Sequence, residues 1–111
     1  MLYVVVHTHK PESCPIDKPE ILKNTFSLIS SAEHSKKTGV NVFGSYHAPP
    51  EHTLFFILEA DRYEKILDFM KPLMTLGTAN IVPVSPLGNV VEKWLDVLGF
   101  LSESDNSGKK W

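Results

Sequence analysis

The hydrophobic pattern of the chain alternates between short runs with strand character and longer stretches with helical spacing. Four runs, at residues 2–8, 40–47, 53–59 and 78–84, are rich in β-branched and aromatic side chains. This composition predicts β-strands. The fourth run contains Pro83. Because proline has no N–H to donate to a ladder, this strand is expected at an edge of the sheet.

The stretches between the first and second strands and after the third show the spacing of amphipathic helices. The first helix is predicted from about residue 17 to residue 37, with Gly39 as its C-terminal cap. The second is predicted to start near Asp61 and to end by Gly77. Asp17 and Asp61 are each followed three residues later by glutamate, which is the capping-box pattern, so both aspartates are expected to cap helices.

A third amphipathic helix is predicted over residues 87–98, where apolar residues again recur at helical spacing. The resulting order β-α-β-β-α-β, followed by a helix, predicts an α+β fold of the ferredoxin-like type. We expect a four-stranded antiparallel sheet with the first and third strands at its centre. Residues 1–101 are predicted to form a single domain, and residues 102–111 a flexible polar tail.

Alternation along the four strands predicts which side chains share a face of the sheet. The face expected to pack on the helices is almost wholly apolar and comprises Leu2, Val4, Val6, Val42, Gly44, Tyr46, Leu54, Phe56, Leu58, Ala79 and Ile81. The opposite face would mix apolar side chains such as Tyr3 and Val5 with His7, His9 and His47. Such a face is too apolar for water and too polar for a sealed core, so we expect it to line a partly enclosed cavity.

In element order and face chemistry, residues 2–84 resemble the dimeric α+β barrel superfamily. These small ferredoxin-like proteins pair the open faces of two sheets into a barrel, and the superfamily includes muconolactone-isomerase-like enzymes and small monooxygenases. The resemblance implies a homodimer or a higher homo-oligomer with room for a small-molecule ligand. No catalytic motif of a named member is matched, so no catalytic residue is assigned. The role of the C-terminal helix in such a dimer stays open.

The composition and charge of the chain indicate which kinds of partner are not expected. The chain has 111 residues, 42% of them hydrophobic, with a net charge of −2 and no basic stripe, so a nucleic-acid partner is not expected. No apolar run is long enough to span a bilayer, and the first residues lack the charged start of a secretory signal. A single cysteine cannot form an intrachain disulfide. We therefore expect a cytoplasmic protein without a membrane partner.

Histidines supply the candidate chemistry. His7 and His9 end the first strand, while His47 and His52 bracket the loop between the second and third strands. The predicted topology brings these strand ends together, beside the loop that carries Cys14. Imidazole is a common transition-metal ligand, so His7, His9 and His47 are predicted to share one ion, with His52 or Cys14 as a further ligand. The alternative, which its position next to Pro15 favours, is that Cys14 is an ordinary loop thiol.

The predicted ion is zinc, with nickel, copper or iron as alternatives. The leading hypothesis is a small dimeric metal-binding protein, or a metalloenzyme acting on a small molecule. A second is a cofactor-free enzyme of the monooxygenase or isomerase type, with a histidine as general base. A third is a non-enzymatic ligand sensor or assembly module. The fifth histidine, His34, lies in a polar helical stretch and is expected to be solvated.

Overall fold

Four antiparallel strands form one sheet in the order β2-β3-β1-β4. The computed structural model describes residues 1–102. The strands are β1 (Leu2–His9), β2 (Asn41–Ala48), β3 (Thr53–Glu59) and β4 (Gly77–Val84). The first and third strands are central, and the strand with Pro83 lies at an edge, as the sequence pattern predicts. The α+β class and the four-stranded antiparallel sheet are confirmed.

Four helical segments accompany the sheet. Segment α1 has three consecutive parts, Pro19–Ile21, a π-helical turn at Leu22–Phe26, and Ser27–Ile29. The others are α2 (Ala32–Thr38), α3 (Tyr63–Met70) and α4 (Leu87–Ser102). Short 3₁₀ turns occur at Pro11–Ser13, Pro15–Asp17, Pro49–Glu51 and Lys71–Leu73. Nearly all of the predicted tail, residues 103–111, lies outside the described residues. In the described part, no helix combines the length and apolarity needed to cross a membrane.

The helix starts differ from the capping-box prediction. The N-cap residues are Lys18 for α1 and Arg62 for α3, and neither start has a side-chain capping bond in the part of the chain that the structure describes. Asp61 instead forms an ion pair with Lys65, at 2.9 Å. The predicted first helix is also interrupted. Ser31 breaks it by accepting the backbone N–H of His34, at 3.1 Å, and thereby caps α2.

The helices cover one side of the sheet, and β1 presents a different face to them than alternation predicts. Tyr3, Val5, His7 and His9 are buried, whereas Leu2, Val4 and Val6 are only half-buried. Register explains the error, since Val5 pairs with the buried Phe56 of β3. Residues 2–6 of β1 are apolar at every position, so alternation carries no information about which face is covered. The assignment for β3 and β4 is confirmed.

Strand β2 contains a bulge that changes which of its side chains face the helices. Val42 pairs with Leu58 and Gly44 with Ile57, which leaves Phe43 as an extra residue. Beyond the bulge, Ser45 and His47 pair with Phe56 and Leu54, and so share the helix-covered side. A bulge reverses the alternation for the rest of a strand. The predicted placement of Gly44 and Tyr46 on the helix side was therefore wrong.

The uncovered side of the sheet is largely apolar. One cross-strand row runs through Val82, Val4 and Ile57, and the next through Asn80, Val6, Phe55 and Tyr46. Tyr46 and Val82 are among the exposed large apolar side chains. No histidine lies in these two rows. We call this surface the open face.

Candidate metal centre

The candidate site is built at the end of β1, beneath the helices. His7 and His9 are 0% and 2% exposed. The backbone N–H of His9 donates to the carbonyl of His52, at 2.9 Å, which ties the end of β1 to the start of β3. Predicting that these strand ends converge was right. The expectation that the face of the histidines is uncovered by helices and lines a partly enclosed cavity was wrong for His7 and His9, because their face is the one that packs on the helices.

His52 reaches the site through an unusual backbone conformation. The Pro49–Glu51 turn ends at His52, whose φ of 51° lies in the left-handed region. The turn is closed by the N–H of His52, which donates to the carbonyl of Pro49. This geometry sets the His52 ring edge-on to the His9 ring, with centroids 5.4 Å apart. Positive φ in a residue other than glycine is uncommon and often accompanies a functional site.

Cys14 also lies close to His9. It lies between the two proline-initiated 3₁₀ turns, Pro11–Ser13 and Pro15–Asp17, and is buried. One candidate ligand atom from each of His9, Cys14 and His52 falls within 4.8 Å of the other two. This trio could hold a metal ion. The sequence placed Cys14 near the site, but residue spacing gave no means of deciding whether its thiol faces the histidines.

The ring nitrogens at this site are the most distinctive chemical feature. In the described part of the chain, both ring nitrogens of His9 and Nδ1 of His52 are buried without a hydrogen-bond partner. A neutral imidazole has one N–H donor and one acceptor nitrogen, so His9 leaves both kinds of group unsatisfied. Each such group costs about 1–3 kcal/mol when it is buried. A metal ion bound to one nitrogen would remove part of that cost.

His7 lies behind this trio and is held by a backbone group. Its Nε2 is 2.8 Å from the carbonyl oxygen of Leu73. A carbonyl can only accept, so Nε2 carries the proton and Nδ1 is left with its lone pair. That Nδ1 is buried and has no partner among residues 1–102. The His7 and His9 rings are stacked, with centroids 6.2 Å apart.

His47 lies at the exposed margin of the site. Its ring is stacked on that of His9 with centroids 6.4 Å apart, and its side chain is accessible to solvent. His7 and His47 thus flank His9, while the compact ligand group consists of His9, Cys14 and His52. The structure brings all five predicted residues into one neighbourhood. The closest set differs from the predicted set of His7, His9 and His47.

The pKa values of the two central histidines, His7 and His9, are both lowered. Burial lowers the pKa of His9, and repulsion from His52, His7 and His47 lowers it further. Burial also lowers the pKa of His7, against a smaller opposing effect of its hydrogen bond to Leu73. Metal ligation requires neutral imidazole, so this environment keeps lone pairs available at neutral pH.

His34, expected to be solvated, is buried elsewhere in the molecule. Its Nε2 donates to the carbonyl of Phe69, at 2.8 Å, and its ring packs on the Phe69 ring. The bond joins α2 to the end of α3. His34 therefore has a structural contact and lies outside the candidate metal centre, which makes it a natural control for the other histidines.

The fold and the site define a small α+β protein with a buried His-Cys-His group that could hold a metal ion. Residues 1–98 match the model of a family described as a domain of unknown function, DUF3303, and the chain belongs to that family. None of the curated proteins compared with the chain matches it.

Proposed function

We propose that the protein binds a transition-metal ion through His9, Cys14 and His52. The observation that carries this proposal is the buried His9 ring, whose two nitrogens lack partners within residues 1–102 while a thiol and a second imidazole lie beside it. Ligand atoms around a tetrahedral zinc ion lie about 3.3–3.8 Å apart, given Zn–N of about 2.0–2.1 Å and Zn–S of about 2.3 Å. The ligand atoms of the trio lie within 4.8 Å of one another, so they need to approach by at most about 1.5 Å to reach that geometry.

Zinc is the ion that this donor set suits best. A thiolate with two imidazoles is typical of zinc, whereas magnesium and calcium prefer oxygen ligands. Nickel, copper and iron also accept imidazole and remain the alternatives. A thiolate ligand must stay reduced, which fits the cytoplasmic setting expected from the single cysteine. The metal could act as a Lewis acid or activate water, which would make the protein a metalloenzyme.

The direct test is a zinc titration of untagged, metal-free protein by calorimetry. Wild-type protein should bind one zinc ion, and His9→Ala should weaken binding by at least about 100-fold, because loss of a direct ligand should exceed the 10–100-fold cost of losing an outer-shell partner. His34→Ala is the matched control, since it removes another buried histidine that does not belong to the trio and that contacts Phe69 instead. It should lower stability and keep zinc affinity. Equal zinc affinities for the two variants would contradict the proposal.

We also propose that two copies pair through the open face in a ferredoxin-like arrangement of the dimeric α+β barrel type. The element order and the strand order support this fold class. Two surfaces with exposed apolar side chains support the pairing. One is the open face, with Tyr46 59% exposed, and the other is α4, with Trp94 65% exposed.

The size of these surfaces suits a stable dimer. An aromatic side chain offers about 150–250 Å² when fully exposed, so Tyr46, Phe55 and Trp94, which are 59%, 38% and 65% exposed, together present on the order of 240–400 Å² per chain. Exposed aliphatic side chains such as Val82 and Val97 add to this area. Stable interfaces bury about 800 Å² per partner. A monomer rarely leaves so large an apolar area uncovered. The cofactor-free hypothesis would place a histidine base in the cavity between two such faces, but His7, His9 and His47 lie on the opposite, helix-covered side.

A further inference from the structure

A small cleft adjoins the candidate metal centre, between α1, the edge strand β2 and its neighbour β3. Its volume is about 190 Å³. The lining includes four apolar residues from α1 and β3 and two polar residues from β2: Phe26, Ile29, Leu54, Phe56, Ser45 and His47. At about 30 Å³ per water molecule, it has room for about six waters or one compact organic molecule.

Two residues of the cleft also contact His9. The Phe26 ring meets the His9 ring edge-on, with centroids 5.9 Å apart. The His47 ring is stacked against the same His9 ring at 6.4 Å. Because both of these contacts lead to His9, the cleft and the metal-binding group share a boundary. A molecule in the cleft would contact these two rings, which separate it from the metal-binding group.

The bulge at Phe43 gives the cleft its polar side. By reversing the alternation of β2, it sets Ser45 and His47 on the same side of the sheet as Phe56 and Leu54. Without the extra residue, Gly44 and Tyr46 would occupy that side. Bulges are frequent beside active sites because they redirect side chains in this way.

The number of protein ligands leaves one coordination position of the ion free for an external ligand. The compact group supplies three protein ligands, whereas zinc and cobalt take four in a tetrahedral site. His47 lies outside that group and stays exposed. Three protein ligands with an open fourth position are the pattern of catalytic zinc sites, whereas structural sites have four protein ligands.

Resting on the metal centre proposed above, we propose that the ion keeps its fourth position open toward this cleft. The cleft would bind a compact molecule that has an apolar body and one oxygen-bearing group, such as a carboxylate or hydroxamate. The oxygen group would bind the metal, the apolar body would pack on Phe26, Leu54 and Phe56, and the His47 ring would donate a hydrogen bond to the oxygen group.

The test uses cobalt-loaded protein, in which visible absorption reports the coordination of the ion. Azide and benzohydroxamate are the probes. Both should change the cobalt spectrum saturably, and benzohydroxamate should bind more tightly because its ring fills the apolar part of the cleft. Ser45→Trp should obstruct the cleft and weaken benzohydroxamate by at least about tenfold through steric overlap, while azide binding changes little. Glu64→Trp, an exposed position on α3, is the matched control.

Failure of the open coordination position, of the cleft or of the metal centre would each give a different result. Cobalt uptake with a thiolate charge-transfer band, but no response to either probe, would overturn the open position and leave the metal centre standing. In that case His47→Ala should alter the cobalt spectrum before any probe is added, because His47 would be the fourth ligand. Equal weakening of benzohydroxamate by Ser45→Trp and Glu64→Trp would overturn the cleft as the binding site. Absence of cobalt uptake would overturn both proposals.

Discussion

At the scale of single residues, His9 is the side chain that a bound metal ion would stabilise most. Its ring is buried between Phe26 and three other histidines, His7, His47 and His52, and lacks any hydrogen-bond partner in the described part of the chain. His7 shows the contrast, because the Leu73 carbonyl satisfies one of its nitrogens. The unsatisfied nitrogens destabilise the metal-free folded protein. Metal binding would remove part of this destabilisation and so raise the free energy of unfolding.

The lowered pKa values of His7 and His9 predict how stability depends on pH. Well above about pH 6.5 both rings are neutral in the folded and the unfolded chain, so they do not make the free energy of unfolding depend on pH. Just below that pH the unfolded chain takes up more protons, because burial holds the folded-state pKa values down. The free energy of unfolding of metal-free protein should therefore fall as pH falls, by at most about 1.4 kcal/mol per pH unit for each histidine.

Urea denaturation between pH 7.5 and pH 5 measures this slope. A variant with both His7→Gln and His9→Gln should have a flatter profile below pH 6.5 than the wild type, although its stability at pH 7.5 will be lower. Identical slopes for the two proteins would show that these rings are not the source of the pH dependence.

At the scale of elements, the alternation of β3 and β4 was enough to predict their covered faces, while β1 and β2 required information that the pattern lacks. In an uninterrupted apolar run such as residues 2–6, hydrophobic alternation cannot show which face of the strand is covered. The bulge at Phe43 depends on how β2 meets β3, which a single segment does not reveal. The break before α2 was also missed, since a serine cap inside a helical pattern competes only weakly with continued periodicity.

The Ser31 cap gives a prediction for α2. Its hydroxyl oxygen accepts the N–H of His34, the residue that ties α2 to Phe69. Ser31→Ala should lower the free energy of unfolding by about 1 kcal/mol, the usual cost of losing a cap. Ser27→Ala, at an exposed position in α1, is the control and should change stability less. Equal midpoints in urea for both variants would mean that the hydroxyl of Ser31 does not stabilise the start of α2.

At the scale of the whole molecule, the sequence predicted the convergence of histidines because antiparallel pairing of β1 with β3 brings their opposite ends together. It did not predict which side of the sheet they occupy, and it gave His52 and Cys14 only as a further ligand beside His7, His9 and His47, whereas both belong to the compact group with His9. Those features depend on the packing of α1 and of the proline-rich turns. The proposed pairing of two copies rests on the apolar open face and the exposed side chains of α4.

Assembly through the open face is tested by sedimentation equilibrium at micromolar concentration, where wild-type protein should be a dimer. Val82→Lys introduces a charge on the open face and should weaken the dimer by at least about tenfold, because a buried unpaired charge is costly. Leu22→Lys is the matched control, since Leu22 is an exposed apolar residue on α1. A wild-type monomer, or equal dimer stability in both variants, would contradict pairing through this face.

The central claim is that His9, Cys14 and His52 bind a metal ion, and X-ray absorption at the zinc edge tests it most directly. Zinc-loaded wild-type protein should show one sulfur neighbour at about 2.3 Å and two imidazole nitrogens at about 2.0–2.1 Å. Cys14→Ser should remove the sulfur shell. A zinc environment made only of oxygen and nitrogen in the wild-type protein, or a sulfur shell that survives in Cys14→Ser, would contradict the claim.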